Sequence, residues 1–252
     1  MPRNRWFGAP SRRGLARLRA GELPGTIAFA IVPGTLFNLR ARATMTSNSL
    51  TFYTADTPNG QKISIFLCEA KLSYEQVNLN LSKGEQREPA FLKLNPNGKI
   101  PVIVDHEAGV TLWESGAILT YLASKHGLLW PKDYREQAVI NQWLQFQMGA
   151  IGPMLGQLWW FTHGSKTGNT EAIHRYHNET HRLYGVVDRQ LGAFPYLAGN
   201  QYTIADIAAF PWLRTYDELG IDPTPYSHVQ RWLDALEKRP AVRDGLAAVK
   251  AG

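Results

Sequence analysis

The sequence predicts an α/β unit over residues 49–129 followed by an all-helical unit over residues 134–250. Two observations predict this division. Short β-prone runs alternate with helical patterns in the order β-α-β-α-β-β-α, and strand signals then vanish from the rest of the chain. Between the two patterns, Trp130–Asp133 has the composition of an interdomain linker.

Each element of the first unit follows from a local pattern. Turn chemistry at Thr57–Gly60 leads into a helix with Ile63, Phe66, Leu67 and Ala70 at helical spacing. The predicted strands are Leu50–Tyr53, Glu75–Asn80, Pro101–Asp105 and Val110–Trp113, with a short helix around Pro89–Leu94, a turn at Asn95–Gly98 and a further helix from Glu114. This order is that of a thioredoxin-like unit, a mixed sheet with helices on both faces.

The second unit shows helical patterns only. They cover Gln137–Met148, Ala172–Leu191 and Val229–Leu236. The clearest helix start is at Thr203, which can cap a helix while Asp206 reaches back to the N–H of the cap residue. Pro211 is expected to kink or end that helix early.

The charge distribution argues against a nucleic-acid partner. The chain has 27 Lys and Arg against 21 Asp and Glu, but eight of the arginines and only one acidic residue lie in residues 1–44. The remainder is nearly neutral and has no general affinity for polyanions. We also predict no membrane span, because no uninterrupted apolar run approaches the ~18 residues that one needs.

Residues 1–44 do not read as a domain, because they show no sustained helical or alternating period. We expect a disordered or misassigned segment, with translation starting at Met45. The alternative is a secretory or organelle leader, since Thr26–Phe37 is largely apolar and Ala41–Ala43 matches a small-residue cleavage site. A long charged lead-in and arginines beside that site argue against a leader.

The first candidate site is the turn between the first strand and the first helix. In a thioredoxin-like unit this turn is the reactive position, because free backbone N–H groups and the helix dipole favour an anion there. Thr57 and Asn59 offer hydroxyl and amide donors at this turn but no sulfur. A thiolate held there would therefore come from a ligand. The turn alone would favour a plain turn and helix cap formed by Thr57 and Asn59.

Two further turns carry candidate chemistry. Ile100-Pro101 suits a cis-proline, which leaves the backbone of the preceding residue free to pair with an extended peptide. Glu114 and Ser115 open a helix, where Glu114 can accept a ligand ammonium while free N–H groups receive a ligand carboxylate. A structural proline and a plain helix cap are the alternatives.

These motifs together resemble the glutathione transferases. The resemblance rests on the runs Asn95–Val102 (NPNGKIPV), Glu114–Leu122 (ESGAILTYL) and Thr203–Ala208 (TIADIA). Thr57–Lys62 (TPNGQK) and Gly152–Gln157 (GPMLGQ) are similar, more narrowly, to the bacterial nu-class disulfide-bond oxidoreductases. The resemblance covers Leu50 to Lys250 and implies the glutathione transferase fold, an α/β thioredoxin-like domain followed by an all-α helical bundle.

The resemblance also implies a role for each matching position. Thr57 and Asn59 would face the glutathione sulfur as catalytic residues, and the backbone of Ile100 would pair with the cysteinyl part. The remaining implied glutathione contacts are Gln86 and Lys99 at the glycyl end, Glu114 and Ser115 at the γ-glutamyl group, and Gln142 and Arg175 from the helical domain, with Gln142 from the partner subunit. The sequence departs from the class at Leu158–Phe161, which is more aromatic than that class implies.

The expected function is that of a homodimeric, cytoplasmic, glutathione-dependent disulfide-bond oxidoreductase. The chain has a single cysteine, Cys68, so neither an internal disulfide nor CxxC chemistry is available, and a reducing compartment fits best. Both sulfurs would come from glutathione, and the partner would be a small disulfide. The alternatives are conjugation of glutathione to an electrophile in a pocket at Trp159–Phe161, and a non-catalytic glutathione-binding regulatory module.

Three other groups of residues have structural interpretations. Cys68 is expected to be an inert, mostly buried thiol. The three histidines at helical spacing are expected to form a solvated helix face rather than a metal site: His174, His177 and His181. The tryptophans are expected at core or interface positions: Trp143, Trp159, Trp160 and Trp212.

Overall fold

The computed structural model describes residues 49–250. Both interpretations of residues 1–44, a leader and a misassigned start, lie outside the described residues. Within residues 49–250 no helix is long and apolar enough to cross a membrane.

The first unit is built on a four-stranded sheet with the strand order β2-β1-β3-β4. The strands are β1 (Leu50–Thr54), β2 (Glu75–Asn78), β3 (Val102–Asp105) and β4 (Val110–Trp113). β1 runs parallel to β2 and antiparallel to β3, and β3 runs antiparallel to β4. The sheet is therefore mixed, as predicted.

Helices account for most of the remaining described chain. They are α1 (Pro58–Glu69), α2 (Pro89–Leu92), α3 (Ser115–His126), α4 (Tyr134–Phe146), α5 (Gly152–Trp159), α6 (Thr170–Ala193), α7 (Ile204–Leu213), α8 (Ser227–Glu237) and α9 (Pro240–Lys250). Short 3₁₀ turns at Leu81–Lys83 and Glu85–Arg87 follow β2, and π-helical turns at Gln147–Ile151 and Trp160–Gly164 flank α5. The thioredoxin-like fold of the first unit and the helical fold of the second are confirmed.

Several predicted boundaries are wrong for identifiable reasons. β2 ends at Asn78, because the side chain of Asn80 instead caps the following turn by accepting the Lys83 N–H at 3.1 Å. α4 begins at Tyr134, where Asp133 from the predicted linker caps it by accepting the N–H of Arg135 at 2.8 Å. α9 was not predicted at all.

The predicted capping box at the start of α7 is confirmed. The Thr203 hydroxyl accepts the Ala205 N–H at 3.3 Å, and Asp206 accepts the Thr203 N–H at 3.0 Å. Pro211 does not end the helix at once, since α7 continues to Leu213. Nine of its residues are buried, so packing on every side holds the helix where proline removes one hydrogen bond.

One hydrophobic core runs through both units and fixes the position of α1. Phe52 and Ile103 of the sheet belong to the same cluster as Tyr184 and Trp232 of the helical unit. α9 lies so close to α1 that a Cβ atom on Gly245 would come within 2.6 Å of the Ile65 Cα atom. The domain boundaries 49–129 and 134–250 remain predictions.

Candidate functional site

The strand register brings the three predicted turns to one edge of the sheet. Tyr53 at the end of β1 pairs with Val102 at the start of β3, and Val102 pairs with Trp113 at the end of β4. The turn after β1, Pro101 before β3 and Glu114 after β4 therefore meet at the same edge. Residues that are far apart in the chain thus form one candidate site.

At this edge, α1 begins close against the end of β1. Thr57 is the N-cap residue, and its hydroxyl oxygen accepts the Gly60 N–H at 3.2 Å. Gly60 must be glycine, because a Cβ atom there would lie 2.3 Å from the Ala55 carbonyl oxygen. The plain cap considered for Thr57 is thus present, but its hydroxyl proton remains available to an anion.

Asn59 does not act as a helix cap. Its side-chain oxygen accepts the indole N–H of Trp212 at 3.0 Å, and Trp212 belongs to α7 of the helical unit. A partner 153 residues away cannot be inferred from local patterns, so the sequence analysis placed Trp212 among the core and interface tryptophans and missed its contact with Asn59. The contact joins the candidate reactive turn to the second unit.

Glu114 has an unusual backbone conformation at the start of α3. Its φ angle is 71° and its ψ angle 114°, a region that residues other than glycine rarely adopt, and its side chain forms no capping hydrogen bond. The exposed carboxylate of Glu114 therefore does not cap α3, in contrast to the plain helix cap considered as an alternative. Strain of this kind, which costs on the order of 1–3 kcal/mol, concentrates at ligand-binding positions.

Beneath this helix start lies a buried lysine that the sequence analysis did not single out. Lys62 is 1% exposed, and its ammonium donates to the Ser115 hydroxyl at 3.2 Å and to Gln147 Oε1 at 2.7 Å. Burial lowers the pKa of Lys62 to about 7, and the nearby charge of Glu114 opposes that shift. Sequence spacing could have indicated that Lys62 is buried, since it lies one helical turn before Phe66 on the apolar face of α1.

The hydrogen bond from Lys62 also bears on the predicted role of Ser115. Ser115 is 4% exposed, and its hydroxyl already accepts from Lys62 and lies 3.7 Å from the Met148 sulfur. The amide N–H groups of the first turn of α3 have no side-chain cap from Glu114. They are therefore the donors best placed to receive a ligand carboxylate.

The Ile100-Pro101 peptide bond is cis, as predicted. The Gln86 backbone lies beside Gly98, where an added Cβ atom would meet the Gln86 carbonyl oxygen at 3.2 Å, and Lys99 is the residue between Gly98 and Ile100. Lys99 is exposed, and its own carbonyl oxygen accepts from the Asn95 side chain at 2.7 Å. The Gln86 backbone and Lys99 thus both lie next to Gly98, and their roles toward the glycyl end remain predictions.

Gln142 and Arg175 are the two predicted site residues that the structure does not bring to this edge by any direct contact. Both are exposed, on α4 and α6 respectively. Neither side chain hydrogen-bonds to another residue between 49 and 250. Their roles remain predictions.

Two open clefts border the site edge. One, of about 490 Å³, is lined by Thr57 together with Asn78–Leu81 and Glu85. The other, of about 820 Å³, lies between α3 and α4, and its lining includes Glu114, Asn141, Gln145 and Met148 but not Gln142. Thr57 therefore lines one cleft, and Glu114 lines the other.

Cys68 lies away from the reactive turn, near the other end of α1. It is partly rather than mostly buried. Burial raises the pKa of its thiol, and the charges of Asp244 and Glu69 raise it further. Cys68 is consequently a poor source of thiolate.

The remaining aromatic and histidine predictions have mixed outcomes. Trp143 is 8% exposed and belongs to the core, whereas Trp159 and Trp160 are 45% and 49% exposed and are not core residues, so an interface position remains a prediction for these two. Trp159 and Trp160 directly precede Phe161, whose ring stacks on that of Tyr176 with 5.6 Å between the ring centroids. Among the three histidines, the ring of His181 hydrogen-bonds to the Tyr226 hydroxyl at 2.7 Å.

Family models match both units of the chain. The model of the glutathione S-transferase N-terminal domain matches residues 48–124, and that of the C-terminal domain matches residues 152–240. The disulfide-bond oxidoreductase YfcG of Escherichia coli is 44% identical over 205 residues, which cover 79% of this chain and 95% of that protein.

Solved structures agree with these matches. A glutathione transferase from Burkholderia graminis, with two glutathione molecules bound per subunit, superposes with a TM-score of 0.77 at 40% identity, over 84% of this chain and 92% of that one. A glutathione transferase from Pseudomonas putida, with one glutathione disulfide bound per subunit, has a TM-score of 0.75 at 40% identity, over 81% of this chain and 93% of that one. On the fold, the motifs and these matches, the chain belongs to the glutathione S-transferase family.

Proposed function

We propose that the protein is a glutathione-dependent disulfide-bond oxidoreductase whose reacting sulfurs are the thiols of bound glutathione. One observation carries the proposal. The reactive turn before α1 presents Thr57 and Asn59, whereas Cys68, the single sulfhydryl of the chain, lies near the far end of that helix with a raised pKa. The reducing sulfur must therefore be supplied by a ligand.

The donors and acceptors at the site edge fit glutathione. The uncapped start of α3 offers N–H groups to the γ-glutamyl carboxylate, and the exposed carboxylate of Glu114 can accept the ammonium. The backbone of Ile100, before the cis-proline, is proposed to pair with the cysteinyl part, and Gln86 and Lys99 to bind the glycyl end. The thiol would then lie at the start of α1.

In the proposed reaction, two glutathione molecules become glutathione disulfide, while the substrate disulfide gains two electrons and two protons and leaves as two thiols. The thiolate is the attacking species, so the role of the protein is to favour it over the thiol. The Thr57 hydroxyl, the Asn59 amide and the positive end of the α1 dipole all stabilise negative charge at one point.

Two comparisons support this proposal over simple binding. YfcG is named a disulfide-bond oxidoreductase, and the Burkholderia and Pseudomonas structures contain two glutathione molecules and one glutathione disulfide respectively. Two glutathione thiols per subunit, and their oxidised product, are what the proposed reaction requires.

Conjugation of glutathione to an electrophile is the second candidate. The observation that favours it is the aromatic cluster of the exposed Trp159 and Trp160 and the half-buried Phe161, which could receive an apolar co-substrate. A pocket of this kind would add an acceptor site without changing how glutathione binds.

We further propose a cytoplasmic homodimer. Exposed apolar side chains on β4 and α4, Trp113 at 38%, Tyr134 at 70% and Val139 at 42%, would be covered by a second copy of the chain. Such a partner could also bring Gln142 toward the site, as predicted. Dependence on reduced glutathione suits a reducing compartment.

Turnover assays with two substrate types test the proposed function. We expect glutathione-dependent reduction of a small disulfide, with production of glutathione disulfide in equal amount, and little conjugation of an aryl halide. Faster conjugation than reduction would favour the second candidate. Glutathione binding with neither turnover would identify a non-catalytic binding module and contradict the proposal.

A further inference from the structure

The contact between Trp212 and Asn59 connects the two units at the reactive turn. The indole N–H of Trp212 donates to the carboxamide oxygen of Asn59 at 3.0 Å. Asn59 itself is the second residue of α1, two positions after the N-cap Thr57. The helical unit thus reaches the side chain that is proposed to face the thiol.

The indole ring of Trp212 is held closely by α5. A Cβ atom added to Gly156 would lie 3.2 Å from the ring carbon Cη2, and one added to Gly152 would lie 3.4 Å from the ring nitrogen. Both glycines thus leave the space that the ring occupies. The N–H of Trp212 is consequently fixed in position and in direction.

A fixed indole N–H selects one orientation of the Asn59 amide. Rotation of a carboxamide by 180° exchanges its oxygen with its NH₂ group, and nothing in the side chain itself favours either arrangement. Because an indole can only donate, it is satisfied by the oxygen and repels the NH₂ group. The two N–H donors of Asn59 are then left for another acceptor.

We propose that Trp212 is a positioning residue, which holds the oxygen of Asn59 so that the amide N–H groups are presented to the thiolate of bound glutathione. This inference rests on the proposed function. It assigns part of the thiol activation to the helical unit, through one hydrogen bond across the two units.

The test is Trp212→Phe in the full chain, which keeps an aromatic ring and removes the indole N–H. Trp232→Phe is the matched control, because the Trp232 indole N–H also donates to a side-chain oxygen at 3.0 Å, that of Asp206 in the core. Should Trp212→Phe fail to fold, Trp212→Tyr takes its place. The readouts are the pKa of the bound glutathione thiol, from its ultraviolet absorbance against pH, and the affinity for S-methylglutathione.

We expect Trp212→Phe to raise the pKa of the bound thiol by about half to one pH unit and to lower kcat/KM for a disulfide about three- to tenfold, as for the loss of one hydrogen bond. Affinity for S-methylglutathione should not change, since that ligand has no thiol. In an Asn59→Ala background, the added Trp212→Phe change should have no further effect on the pKa.

The outcomes separate the inference from the function on which it rests. An unchanged thiol pKa in a folded Trp212→Phe protein, or an equal rise in Trp232→Phe, would overturn the inference while leaving the proposed function standing. If the unmutated protein bound glutathione without reducing disulfides, the function would fail, and the pKa measurement would still decide the role of Trp212. Absence of glutathione binding would overturn both.

Discussion

Lys62 has an amine in the core of the protein, where its three nearest polar partners are Ser115, Gln147 and the sulfur of Met148. Three acceptors match the three protons of an ammonium, but burial favours the neutral amine. Burial lowers the pKa of Lys62 to about 7, and the negative charge of Glu114 limits the size of this shift. Lys62 therefore titrates in a range where free lysine does not.

This titration predicts a pH dependence of stability. Above its native pKa of about 7, Lys62 loses its proton in the folded protein, whereas the unfolded chain keeps it until about pH 10.4. The unfolded state then binds the extra proton, so the contribution of Lys62 to the free energy of unfolding rises with pH across this window, by up to about 1.4 kcal/mol per pH unit. Below the native pKa both states are protonated, and the contribution is constant.

Denaturant unfolding of wild type and Lys62→Met between about pH 7 and pH 10 measures this effect. We expect the slope of the unfolding free energy against pH to be smaller in Lys62→Met than in wild type, by up to about 1.4 kcal/mol per pH unit. The exposed lysine variant Lys93→Met is the control and should keep the wild-type slope. Equal slopes in wild type and Lys62→Met would contradict the assigned titration.

Glu114 offers a separation of binding from folding. Its carboxylate is proposed to accept the ligand ammonium, and its backbone adopts a φ of 71°, which glycine tolerates better. We expect Glu114→Ala and Glu114→Gly both to bind glutathione about tenfold to a hundredfold more weakly, from the loss of about 1.5–3 kcal/mol. Glu114→Gly should nonetheless unfold at a denaturant concentration no lower than Glu114→Ala. Calorimetric titration showing wild-type affinity in both variants would remove Glu114 from the site.

At the residue scale, the sequence predicted side chains that belong to local motifs and missed those defined by tertiary contact. Thr57, Ile100 and Glu114 lie in turns whose geometry is readable over a few residues, and the structure brings those turns to one sheet edge. Lys62 and Trp212 matter because of partners 53 and 153 residues away. No local pattern carries such information.

At the scale of elements, the start of α1 depends on one close approach. An added Cβ atom at Gly60 would lie 2.3 Å from the Ala55 carbonyl oxygen and 2.4 Å from the Thr54 hydroxyl oxygen. We expect Gly60→Ala to destabilise the protein by at least about 1–3 kcal/mol, because the backbone must move. Gly149→Ala is the control, since nothing lies within 4 Å of its added Cβ atom, and it should be neutral or stabilising. Comparable thermal unfolding of the two variants would contradict this account of the turn.

Element prediction succeeded where periodicity was strong and failed where caps decide the ends. The order of strands and helices in the first unit was predicted from alternation and helical spacing. α9 is an exception: it was missed although its apolar residues Val242, Leu246 and Val249 have the helical spacing i, i+4 and i+7, so a sequence signal for it was present. The π-helical turns on either side of α5 have no sequence signal that distinguishes them from ordinary helix.

At the scale of the whole molecule, the two units share one core, so neither is expected to be stable alone. α1 is buried along most of its length and packs against α3, α7 and α9. We expect a fragment of residues 46–129 to show weak, non-cooperative thermal unfolding, and mixing with residues 130–252 to restore a cooperative transition. A fragment that melts cooperatively by itself would show that the first unit does not need α7 and α9.

The central claim, that glutathione and not the protein supplies the reacting sulfur, is tested most directly by the rate of disulfide reduction in Cys68→Ser. The assay is steady-state reduction of a small disulfide at fixed glutathione, coupled to glutathione reductase. We expect a rate close to wild type, because Cys68 lies about 15 Å along α1 from the reactive turn and has a raised pKa. A Cys68→Ser protein that folds and binds glutathione but no longer reduces disulfides would contradict the account.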